Sequence, residues 1–217
     1  MMTIASALFV TVAALMFRPP AVPLVSVDPH FSLWSAANRL YDAETTFWTG
    51  KEQPLSIILT ADGVEYRLCG RARGRDLRTL AQMSVDVGAT MTSYRFAGED
   101  GLCAEVVFLT PRLTDDLDVF SRPVTYLTVR VTGARAWSVQ VEMSDAFATD
   151  DDAARMVRTA YALDGIAAVK VGRLEQRPFS SRGDRKRPDW GFAHLVGPIA
   201  APDERCFLLA YDNAGSV

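Results

Sequence analysis

Two histidines and three cysteines are all that this 217-residue chain holds of the side chains that favour zinc. His30 and His194 stand far apart, and Cys69, Cys103 and Cys206 form no CxxC pair. A zinc site and a Cys–His nucleophile therefore lack sequence support. No glycine-rich loop opens a helix, which removes a dinucleotide fold and a P-loop, and with them any expected cofactor. GxSxG and helical HExxH patterns are absent as well. Charge of one sign is not in excess: 23 Lys and Arg face 26 Asp and Glu, a net −3 that gives nucleic acid or an anionic membrane no field to follow. Basic clusters at Arg71, Arg73, Arg75 and Arg78, and at Arg182, Arg185, Lys186 and Arg187, have acidic neighbours and no interleaved aromatics. They read as solvated loops rather than a phosphate-binding stripe.

Long apolar runs are missing too, with one partial exception. Residues 4–17 are apolar with small residues inside, too short for a comfortable membrane span and suited to a signal peptide core. Residues 1–17 are expected to be an apolar N-terminal helix serving as a signal peptide or signal anchor. That implies a secreted, periplasmic or cell-envelope location, with membrane contact only through an uncleaved N-terminal segment. Against this, no Lys or Arg precedes the run, and Ala5-Ser6-Ala7 lies too early for cleavage. A miscalled start codon or a buried helix is the alternative.

What is present is a chain with 49% hydrophobic and 23% charged residues, the balance of a folded globular body. Its length suits one sizeable domain, or one domain plus a fragment. Residues 18–50 hold four prolines, two tryptophans, two phenylalanines and a tyrosine without helical periodicity. Such a stretch is too aromatic for a solvated linker and too proline-rich for a helix, so it must run as extended chain and turns with its rings packed. Beyond it, short apolar runs alternate with turn chemistry. Residues 55–60 and 64–69 flank Asp62-Gly63, 90–96 and 102–109 flank AGEDG, and 156–163 and 166–171 flank Asp164-Gly165. These are hairpin signals, because Asp-Gly tolerates positive φ. Further strand-like runs lie at 79–87, 124–131, 137–143, 191–196 and 206–211. Roughly ten or more strands at this spacing predict an all-β, antiparallel β-sandwich over residues 18–217. One short helix is expected near residues 150–155. The apolar run into the terminus suggests a chain truncated at its C-terminus.

Few constellations offer chemistry. Asp115, Asp116 and Asp118 could ligate calcium through oxygen, but the spacing is not that of an EF-hand and lacks its turn glycine. The favoured reading has these carboxylates capping backbone N–H groups or pairing with Arg112 and Arg122. Two of Asp42, Glu44, Asp116 and Asp189 could make a glycosidase-like pair only if they faced one another across a cleft. Trp34, Tyr41, Phe47 and Trp48 suit core or domain-interface packing better than a sugar-stacking platform. Cys69 and Cys103 lie in strand-like runs, where a small buried thiol is the simplest role. One disulfide among the three cysteines stays open for an exported protein.

RPPAVPLVSVDPHFSLWS with LYDAETTFWTGKEQPL, then DDLDVFSRPVTYLT at residues 115–128 and GDRKRPDWGFAHL at residues 183–195, together resemble the N-terminal region of glutaminase A-type proteins. The resemblance runs from Arg18 to the terminus. It implies a β-rich, non-catalytic N-terminal domain whose partner is a C-terminal helical catalytic domain that hydrolyses L-glutamine to L-glutamate and ammonia. No catalytic residue carries over, since the chain stops before that helical region. Trp34, Asp42, Trp48, Thr49, Arg122, Asp189 and Trp190 are the expected domain-interface or ligand-platform residues. Phe47 stands where the family commonly has histidine, and Asn38 where it often has aspartate. The alternative is a carbohydrate-binding β-sandwich module or an accessory domain of a glycoside hydrolase-like enzyme.

Overall fold

A computed structural model describes residues 19–176 and 190–212. The expected N-terminal helix and Asp189 lie outside the described residues. In chain order the strands are β1 (Val22–Ser26), β2 (Ser32–Ser35), β3 (Leu55–Ala61), β4 (Val64–Cys69), β5 (Arg78–Thr79), β6 (Ala81–Val87), β7 (Met91–Ala97) and β8 (Cys103–Leu109). Then come helix α1 (Leu117–Phe120), β9 (Val124–Thr132), β10 (Trp137–Met143), β11 (Met156–Leu163), β12 (Ile166–Arg173), β13 (Phe192–Ala201) and β14 (Glu204–Asp212). They form an eight-stranded antiparallel sheet ordered β11-β12-β13-β14-β9-β8-β7-β6, a four-stranded sheet ordered β10-β3-β4-β5, and the hairpin β1-β2. Among the described strands only β4 and β5 run parallel.

Alternation decides the faces of the large sheet. In β8 the buried residues are Ala104, Val106 and Phe108, and in β9 Thr125, Leu127, Val129 and Val131, with half-buried or exposed residues between them. Successive side chains of a strand point to opposite faces, so these residues line one side. They meet Leu55, Ile57 and Leu59 of β3 and Phe207, Leu209 and Tyr211 of β14 in one core. On the other face Arg95, Glu105, Arg130 and Glu204 form a ladder of ion pairs across four strands, which keeps that row in water. The Arg130 guanidinium is held charged chiefly by its bond to Glu105.

Three Asp-Gly turns close hairpins where the sequence places them. Asp62-Gly63, Asp100-Gly101 and Asp164-Gly165 all have positive φ. The β9–β10 connection does something different, although it too carries a glycine. β10 leaves the large sheet and pairs along its whole length with β3. Gly133 allows this crossing: its φ is +82°, and a Cβ there would sit 2.2 Å from the Gly101 carbonyl oxygen. Asp62 secures the crossing by accepting the backbone N–H groups of Ala136 and Arg135, and those two bonds hold its carboxyl below the usual range.

The aromatic N-terminal stretch is laid down as extended chain and turns, as its composition requires. Thr46 bridges Trp34 on one side and Glu52 on the other. Thr45 Oγ1 donates to the Gln53 carbonyl at 2.6 Å, and Gln53 Nε2 to the Ser32 carbonyl at 3.1 Å. The rings of Phe31 and Tyr41 are buried against Tyr211 and Phe96. The β1–β2 hairpin sits on one end of the large sheet, where Thr92 Oγ1 donates to the Pro23 carbonyl at 2.7 Å.

Two expectations need correction. No helix forms near residues 150–155: Asp151 accepts from the Ala153 N–H and Thr149 Oγ1 from the Asp151 N–H, and these local bonds make a turn instead. Cys103 is exposed rather than buried, because it opens β8 on the face away from the core. Cys69 is buried, and burial pushes its thiol well above the ordinary range. None of the three cysteines is in a disulfide.

Candidate functional site

At the hairpin end, Ser26, Asp28, Pro29, Ser32, Trp34 and Trp48 line an open groove of about 570 Å³. Local hydrogen bonding fixes each wall. Asp28 turns its carboxylate back onto the N–H groups of His30 and Phe31, at 2.6 and 2.9 Å. This side-chain turn presents Pro29. The Trp48 indole donates through Nε1 to the Pro29 carbonyl at 2.9 Å, which pins a half-exposed ring at the rim. Trp34 is held from the strand side, its backbone exchanging both bonds with Thr46 at 2.8 and 2.9 Å.

Two polar atoms of groove residues are buried without hydrogen-bond partners, Ser32 Oγ and Trp34 Nε1. Leaving such a group unsatisfied costs about 1–3 kcal/mol. The lining surface is otherwise almost wholly carbon, and its one carboxylate is committed to backbone. Among the described residues the polar side chains of the lining are those of Ser26, Asp28 and Ser32, and the groove offers an otherwise apolar surface.

A ridge adjoins the groove. Arg112 donates to the carbonyls of Ser26, Val27 and Phe120, and its guanidinium lies 5.2 Å from the Phe120 ring centroid. This ties the segment after β8 to the end of β1 and leaves Leu113, Leu117 and Phe120 at the surface, 54%, 74% and 38% exposed. Sequence reading passed over these three. Their i, i+4, i+7 spacing was the available signal, masked by the aspartates among them.

Of the predicted platform residues, Trp34 and Trp48 meet in the groove. Trp190 stands beside it, its ring 5.9 Å from that of His30. Thr49 is exposed in the turn after Trp48. Asp42 lies elsewhere, in a turn where it accepts the Arg39 N–H, and the Arg122 side chain is exposed beyond α1. Phe47 is buried, so the position where the resembled family carries histidine faces packing rather than a ligand. Asp116 caps α1 by accepting the Val119 N–H at 3.0 Å, and Asp115 and Asp118 are exposed. Among the described residues no group of three His, Cys, Asp or Glu side chains could hold a metal ion. Of the four carboxylates that could form an acid–base pair, Asp42 and Asp116 each serve the backbone of their own turn, and Asp189 lies outside the described residues.

A second polar cluster projects from the sheet face away from the core. Tyr161 Oη and His194 Nδ1 are 2.8 Å apart. Burial lowers the His194 pKa, opposed by Asp212 and assisted by Lys170, and burial raises that of Tyr161. Near Asp145 and Thr149, a further recess is lined with acids, but Asp145 pairs with Arg158 and Asp151 with Arg173.

Comparison with known proteins gives this architecture a family. The model described as Domain of unknown function (DUF4964) matches residues 2–82, and that described as Domain of unknown function (DUF5127) matches residues 90–211. The chain belongs to the DUF5127 family. This DUF5127 member is 29% identical over 187 residues to glutaminase A of Aspergillus oryzae, a match covering 80% of the chain and 26% of that protein. It is 24% identical over 206 residues to a probable glutaminase of Arthroderma benhamiae, covering 83% of the chain and 23% of that protein. The chain thus spans about a quarter of the length of these curated relatives.

Proposed function

We propose that this DUF5127 member is the non-catalytic β-sandwich unit of a glutaminase-related amidohydrolase. Its role is to support a helical catalytic domain that converts L-glutamine and water to L-glutamate and ammonia. The observation that carries this reading is the similarity to glutaminase A, which covers 80% of this chain but 26% of that protein. The groove agrees with a supporting role, since the surface it presents is almost wholly apolar. Export fits the same reading, with residues 1–17 as signal peptide or anchor.

The test uses the product of the natural gene beside purified residues 1–217. Glutamine turnover by the gene product and none by the 217-residue chain is the expected outcome. Robust turnover by the 217-residue chain alone would sink the non-catalytic assignment. A carbohydrate-binding module remains the alternative, favoured by Trp34 and Trp48 lining one groove. Glycan binding that disappears on Trp48→Ala with the fold intact would establish it.

A further inference from the structure

We propose that the free edge of β10 is a docking site for one extended strand of partner polypeptide, added antiparallel as a fifth strand of the small sheet. The strand carries an apolar side chain at every second position and a carboxylate near its N-terminal end.

β10 ends the small sheet, and among the described residues no strand pairs with its other side. The hydrogen bonds at its two ends fix which groups are left over. The Asp62 N–H donates to the Ala136 carbonyl at 2.9 Å and the Ser144 N–H to the Pro54 carbonyl at 3.1 Å, so the even-numbered residues turn their backbone toward β3. Antiparallel ladders alternate residue by residue, so the N–H and C=O groups of Val139 and Val141 point away from β3. A row of such groups on an edge is a template for another strand. Two other edges are blunted: β5 has two residues, and β6 is broken by a register shift between Gln82 and Ser84. β10 pairs with β3 in unbroken register over seven residues and contains no proline or lysine.

An apolar floor lies beside that edge. Two adjoining recesses, of about 330 and 520 Å³, separate β10 from β12, and Val169 lines both. Val169 packs on the core, and antiparallel partners share a face, so Ala160, Ala162 and Ala167 project to the same side. All three are exposed. The large sheet therefore extends past β10 with its core face uncovered. Apolar side chains on one face of an added strand land on this floor while its backbone completes the ladder with Val139 and Val141. The Met143 end is cationic, since Arg73 and Arg158 both line the second recess. Arg158 is matched by Asp145, whereas Arg73 reaches Glu142 at 3.9 Å and shares it with Arg75. In an antiparallel strand the residues beside Met143 are the N-terminal ones, which places the carboxylate there.

A second folded copy of this chain does not fit the edge. Antiparallel pairing of β10 with itself needs a two-fold axis normal to the small sheet, which puts both large sheets on one side. Each would project under the other's β10 and claim the same space. A single strand fits.

Residue-resolved amide exchange on the 217-residue chain, with and without a capped nonapeptide, decides the matter. The peptide has glutamate first and then alternating valine and threonine. Without it, the Val139 and Val141 amides should exchange at least about tenfold faster than those of Gln140 and Glu142, which lie in the β3 ladder. Saturating peptide should bring Val139 and Val141 to the protection of their neighbours. Lysine in place of the glutamate should weaken binding roughly threefold. Val141→Pro removes an N–H that β3 does not use, so it should abolish the response while Gln140 and the amides of β8 and β9 stay protected. Ala167→Trp should abolish it by filling the floor, and carries the test if the proline variant does not fold. Val139 and Val141 amides already as slow as Gln140 in the free chain would overturn the inference, as would no slowing at any soluble peptide concentration. Slowing that appears as the chain alone is concentrated would assign the edge to a second copy, and would overturn it too.

Discussion

The two-sheet interior and the hairpin end draw on the same residue types and use them in opposite ways. Phe108, Leu127 and Val129 are almost completely enclosed between β3 and the large sheet, while Leu113, Leu117, Phe120 and Trp48 face outward. The interior side chains are spent on folding. Those at the end are held in place by polar anchors, Arg112 and the Pro29 carbonyl, and contribute little burial of their own.

Substitutions can break or sharpen that contrast. Phe108→Ala, in the enclosed core, should destabilise the chain by about 3–5 kcal/mol in urea unfolding, the transfer and cavity cost of a buried phenylalanine. Gly133→Ala comes next. It combines a positive φ with a backbone collision, and should cost more than about 1 kcal/mol while loosening exchange protection in β10. Asp116→Ala removes the α1 cap and should cost about 1 kcal/mol, seen as faster exchange over 117–121. Leu117→Asp should change stability by less than about 0.5 kcal/mol, the ordinary surface response.

Acidity probes the other face of the sheet. Burial depresses the His194 pKa below the unfolded value of 6.5, so the unfolded state binds the proton first as pH falls. Stability is full above that value and declines as pH drops toward the folded pKa. Between pH 7.5 and 5.5 the wild-type thermal midpoint should fall further than that of His194→Gln.

Local chemistry made much of the fold legible. Asp-Gly turns and two-residue alternation depend on neighbours in sequence, which is why the β3–β4, β7–β8 and β11–β12 hairpins could be read. Partner choice at a distance could not. Thr132-Gly133 resembles a hairpin turn, and nothing in the pattern of β10 says that its partner is β3. The stretch at 150–155 failed for the reverse reason, since Thr149 and Asp151 offer the backbone side-chain bonds that compete with a helix. At the candidate site, the aromatic content of 18–50 pointed to Trp34 and Trp48. The ridge stayed hidden because its three apolar residues alternate with aspartates that read as a solvated loop.

Urea unfolding of Phe108→Ala beside a Leu113→Asp, Leu117→Asp double variant, both in the 217-residue chain, tests the division of labour most directly. The expected result is a loss of about 3–5 kcal/mol for the first and less than about 1 kcal/mol for the second, two surface changes added together. A double variant as damaging as Phe108→Ala would contradict it, because the ridge would then be part of what holds the fold together.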